Sequence, residues 1–90
     1  MEIYSFSPAP AINHNITVGA FYDRLGDQKW PVLADINPSV QALIKDCQVR
    51  KWINLDDPQV RTGLEMVKAA GHAIDVDAII TAPIQPGERP

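Results

Sequence analysis

The sequence predicts an all-α domain, a small bundle of four to five short helices with an extended N-terminal arm and a proline-rich C-terminal tail. Three observations carry this. Between Thr17 and Thr81 the apolar residues recur at spacings of three and four. Two dipeptides, Asn37-Pro38 and Asp57-Pro58, have the form of helix starts, a capping side chain followed by a proline at the first helical position. Nothing alternates with period two over strand length except Ile3-Tyr4-Ser5-Phe6 near the start.

Three zones follow: an extended arm over residues 1–16, a helical domain over 17–82 and a flexible tail over 83–90. The arm holds Pro8, Pro10, Asn13 and Asn15. Proline lacks a backbone donor and biases its predecessor toward extended backbone, so no helix is expected there. Thr17 caps a first helix whose Val18, Phe21, Tyr22 and Leu25 share a face, and Gly26 suits the left-handed position after it. A short segment over residues 27–35 is expected to present Trp30, Leu33 and Ala34 on one side, with Pro31 tolerated only in its first turn.

From Asn37-Pro38 onward Val40, Leu43, Ile44 and Cys47 form an apolar stripe, while Gln41, Lys45, Gln48 and Arg50 face water. Trp52 and Ile53, in the connection that follows, are expected to plug that end of the core. The helix opened by Asp57-Pro58 carries Val60, Leu64 and Val67, with Met66 beside them, and ends at Gly71. Gly63 within it costs about 1 kcal/mol relative to alanine, which signals a close approach by a neighbouring element. Asp75 or Asp77 caps a last short helix through Ala78, Ile79 and Ile80, stopped by Pro83.

Ninety residues make one small domain that buries about 60–65% of the surface of its unfolded chain. A hydrophobic fraction of 46% with a net charge of −3 excludes a disordered chain. Eight basic against eleven acidic residues argue against nucleic acid as a partner. No signal peptide and no stretch long enough to cross a bilayer is visible, so no membrane partner is expected. The single Cys47 cannot form an internal disulfide, which fits a reducing compartment.

Catalytic patterns are not apparent, and neither cofactor nor metal is expected. One cysteine and two distant histidines, His14 and His72, do not provide zinc-ligand spacing. Cys47 could serve as a nucleophile only with a histidine base close in space; on an apolar stripe it reads as a small buried hydrophobe. His72, after Gly71, sits where a helix dipole favours an imidazolium. Asp46 and Arg50, four residues apart, are spaced to pair. The acids Asp56, Asp57, Asp75 and Asp77 precede helices and are explained by capping. The cluster Lys45, Arg50, Lys51 has its field offset by Asp46, Asp56 and Asp57, and reads as a solvated face. The remaining unexplained feature is the arm: Ile3, Tyr4 and Phe6 exceed what the core requires, and they are the candidate partner-binding residues, either folded back or docked on another chain.

Phe21-Tyr22-Asp23-Arg24-Leu25 and Ile53-Asn54-Leu55-Asp56-Asp57-Pro58, continued by Val60, Gly63-Leu64 and Gly71, resemble segments of small helical proteins encoded by tailed bacteriophages and prophages, often near tail-module genes. The likeness spans roughly residues 20–80. It implies a non-enzymatic protein that acts through protein–protein interaction or self-association, as a tail accessory or assembly factor, in the bacterial host cytoplasm or in the virion. The alternative is an inhibitor of a host bacterial protein, a defence or regulatory factor. The resemblance carries no catalytic residues with it.

Overall fold

A computed structural model describes residues 13–90. The predicted helix starts are where the sequence puts them. Thr17 is extended and accepts the Ala20 N–H at the head of α1 (Val18–Asp23). Gly26, with φ of +60°, then turns the chain through a short 3-10 segment into α2 (Lys29–Leu33). Asn37 caps α3 (Pro38–Gln48) through the Ser39 N–H, and Asp57 caps α4 (Pro58–Ala69) through the Gln59 N–H. Each has its proline in the first turn, where the missing donor would have had no helical partner. Gly71, with φ of +107°, ends α4, and Asp75 caps α5 (Val76–Thr81) through the Ala78 N–H.

The molecule is mostly helical, and it is not purely so. Asn15–Ile16 (β1) pairs antiparallel with Ile53–Asn54 (β2), Asn15 opposite Asn54 and Ile16 opposite Ile53. This small ladder corrects the expectation of an all-α bundle. Two-residue strands are too short to show alternation in a sequence. Its packing role is larger than its length, because Ile16 and Ile53 are both buried in the same core cluster. Residues 15 and 16 were assigned to the arm by their sequence, yet Ile16 is fully buried.

The core is one cluster drawn from every element: Ile16 and Phe21, then Val40, Ile44 and Cys47 from α3, Leu64 and Val67 from α4, Val76 and Ile79 from α5. The α3 stripe is buried as expected, with Leu43 on its half-buried edge. In the short α2 the buried residue is Val32, while Trp30 is 70% exposed. The 3-10 turn leading into α2 sets its rotation, and five residues are too few for a stripe to override it. Gly63 is where α3 and α4 meet: a Cβ there would stand 2.6 Å from Cδ1 of Leu43. The close approach read from the sequence is thus a helix–helix crossing that only the smallest residue admits without a shift.

Residues 83–90, read as a flexible tail, are bonded to the body. Pro86–Glu88 forms a 3-10 turn, the Thr17 N–H donates to the Glu88 carbonyl at 2.8 Å, and Arg89 donates to the carbonyl of Asn13. Arg24 anchors the same segment. Its Nη1 donates to the carbonyls of Ile79 (2.6 Å) and Ala82 (3.1 Å) while the rest of the guanidinium holds Glu88. Among the described residues no helix is long and apolar enough to cross a membrane.

Candidate functional site

Where α3 ends and α4 begins, the two helices diverge around the 49–57 connection and leave a cleft of about 70 Å³. Its floor is apolar, formed by Phe21, Leu43, Cys47, Ile53 and Val60. One wall is Trp52, and the rim carries Asp46, Arg50 and Asp57. Local sequence logic places each of these. Asp46 and Cys47 sit in the last turn of α3, and Arg50 follows just after the helix ends. Asp57 is at the rim because it caps α4. Ile53 points inward because β2 pairs with β1, so its neighbour Trp52 is left at the surface, 46% exposed.

The rim charges are unequal. Arg50 is held by both oxygens of Asp46, Nε to Oδ2 at 2.8 Å and Nη2 to Oδ1 at 3.2 Å, as the spacing of four predicts. Asp46 accordingly holds the guanidinium above its ordinary value. Asp57 spends one oxygen on the Gln59 N–H, and no cation bridges it among the described residues. Lys51, although next to Trp52 in sequence, does not line the cleft.

Beneath the rim lies the cysteine, and it behaves as a core residue. Burial, then the Asp46 charge, pushes the Cys47 thiol up, which disfavours the thiolate a nucleophile needs. Burial also pushes the Tyr22 phenol up to about 12, with the neighbouring thiol adding to the rise. The Tyr22 hydroxyl lies beside Cys47 without a well-directed hydrogen bond among the described residues.

Neither histidine reaches Cys47. His14 Nδ1 sits 2.7 Å from Asp56 Oδ2 on the surface. His72 does more than meet a helix end: its Nε2 lies 2.6 Å from Asp35 Oδ2, and both side chains are largely buried. That pair links the turn before α3 to the turn after α4. The Asn37 N–H, and after it His72, holds the Asp35 carboxyl below the usual range. Asp77 pairs with Arg61 at 2.8 Å, and Asp75 provides the cap. No group of three or more His, Cys, Asp or Glu among the described residues is arranged to hold a metal ion.

The candidate partner residues Ile3, Tyr4 and Phe6 lie outside the described residues. The described surface supplies others that sequence reading missed, namely Trp30, Ile36 at 89% exposure and Val49 at 82%, with Trp52 expected instead in the core. A signal for Ile36 existed. It precedes the Asn37 cap, where an apolar residue normally packs on the fourth helical position, and that position is Gln41. No family model, curated protein or solved structure matches the chain in the comparisons made with each.

Proposed function

We propose that this protein works by binding other proteins and not by catalysis, as a tail accessory or assembly factor of a phage or prophage. One observation carries the binding reading: two tryptophans, Trp30 and Trp52, stay exposed beside a core that fills with Phe21 and aliphatic side chains. Isolated exposed aliphatics are ordinary on protein surfaces. Tryptophan is costly to leave in water and is the residue type most enriched among interface anchors. The tail-module assignment rests on the likeness of residues 21–25 and 53–58 described above.

The experiment is affinity capture of the tagged chain from cells with an induced prophage, followed by mass spectrometry. Enrichment of tail-module proteins, reduced when Trp30 and Trp52 are both changed to alanine, supports the proposal. Enrichment of a host defence or regulatory protein moves the protein to the inhibitor class. Nothing retained above an untagged control overturns the binding reading.

A further inference from the structure

We propose that the cleft between the end of α3 and the start of α4 receives a single aliphatic side chain from a partner protein segment whose flanking residues are basic. The proposal rests on the binding reading above and assigns it a place and a chemistry.

Size decides the first half. About 70 Å³ is well below the ~300–1,000 Å³ of sites that enclose a small organic ligand. It is also less than half of a ~150 Å³ apolar cavity that takes up benzene. A cleft of this size suits a leucine, isoleucine, valine or methionine tip better than an aromatic ring. Phe21, Leu43, Cys47, Ile53 and Val60 give such a tip apolar contact, while Asn54 and Gln59 join the charged residues in the polar part of the lining.

Charge decides the second half. Asp46 and Asp57 stand against Arg50, which both oxygens of Asp46 hold and which the Asp57 charge also reaches, so the lining keeps a net negative charge. The excess is one carboxylate charge, and Asp57 and Trp52 both line the cleft. An incoming Lys or Arg beside the aliphatic tip meets the carboxylate or lies across the indole face. An acidic segment would meet unpaired negative charge while desolvating it. Tryptophan and arginine beside an apolar floor are also residue types enriched at interface hot spots.

The test uses the full chain as bait for a random dodecapeptide library. Winning peptides are then measured against three variants. Val60→Trp fills the cleft; Gln59→Trp covers its mouth from an exposed helix position where folding is not at stake. Asp57→Asn keeps the helix cap, since asparagine caps as well as aspartate, and removes only the charge. The expected winners share a Leu, Ile, Val or Met with Lys or Arg within two positions. They lose tenfold or more in affinity on the two tryptophan variants and about threefold on Asp57→Asn, with a matching loss at high salt.

Acidic or motif-free winners, unchanged affinity for the tryptophan variants, or no winners at all would overturn the proposal. So would a concentration-dependent mass in sedimentation that is abolished by Gln59→Trp, because the cleft would then belong to a second copy presenting its own Val49-Arg50-Lys51. A cellular partner that is still captured by the Gln59→Trp chain sinks the cleft and leaves the broader binding reading standing.

Discussion

Arg24 and Glu88, 64 residues apart, meet as a two-pronged ion pair, Nε to Oε2 at 2.8 Å and Nη2 to Oε1 at 2.9 Å. The Arg24 side chain is only 8% exposed, so its charge is matched almost entirely by protein. The fork fixes two directions at once, one toward the carboxylate and one toward the carbonyls that end α5. It fastens residues 83–90 to the first helix.

Replacing Arg24 by alanine should lower stability by about 2–4 kcal/mol, because it leaves Glu88 and two carbonyls short of donors. Arg24→Lys should recover less than half of that, since an ammonium cannot span the carboxylate and the carbonyls together. Urea melts of the three proteins check this; coincident midpoints would show that the pair contributes nothing.

Acid should loosen the same junction. The Arg24 guanidinium, helped by the Gln85 N–H, holds the Glu88 carboxyl below its ordinary value near 4.5. A depressed folded-state value means the stabilisation is complete above about pH 4.5 and is lost as pH falls through the lowered value. Asp35 acts in the same direction through Asn37 and His72. Stability measured from pH 6 down to 2 should therefore fall, and Glu88→Gln should flatten part of that fall while starting from a lower plateau at pH 6. An identical slope in Glu88→Gln would remove Glu88 from the acid response.

What the sequence disclosed follows the reach of each interaction. Caps act over two or three residues, so Thr17, Asn37 and Asp57 are readable and accept the expected N–H, and of the two candidates Asp75 and Asp77 it is Asp75 that does so. Gly63 is readable because a glycine inside a helix needs a reason, and Leu43 is that reason. The failures are mostly long-range, with Trp30 and Ile36 as local exceptions. Arg24–Glu88 and His72–Asp35 span 64 and 37 residues, and no local pattern marks either partner. Ile16 lies beside Ile53 through a ladder too short to leave a period. Trp52 was misplaced for the same reason, because the strand partner of Ile53 decides which of the two adjacent side chains turns inward. The cleft inherits that error, since Trp52 is its wall.

Burial separates two leucines that share an interface. Leu64 is fully buried, and Leu64→Ala should cost about 3–5 kcal/mol; Leu43 is half-buried, and Leu43→Ala should cost about 1–2 kcal/mol. Gly63→Ala should be near neutral alone, the helix gain of about 1 kcal/mol offsetting the displacement of Leu43. Combined with Leu43→Ala the same change should stabilise, with a coupling above about 0.5 kcal/mol. Strict additivity in a double-mutant cycle would contradict the crossing geometry.

Cys47 is 2% exposed and its thiol is pushed up by burial. Alkylation by iodoacetamide at neutral pH should proceed at least a hundredfold more slowly in the native protein than in denaturant. Equal rates would place the thiol in solvent and reopen its candidacy as a nucleophile.

The tie between Arg24 and Glu88 also sets an order of events during synthesis. At about 5–20 residues per second, the ribosome needs roughly 3–13 s to travel from one to the other. For that interval the Arg24 guanidinium lacks its carboxylate and the Thr17 N–H lacks the Glu88 carbonyl. The intervening helices can form as they emerge, but the circuit closes only once residue 88 is free of the ribosome. Until then the polar groups of this junction, from Thr17 and Arg24 to Glu88, are met by water alone.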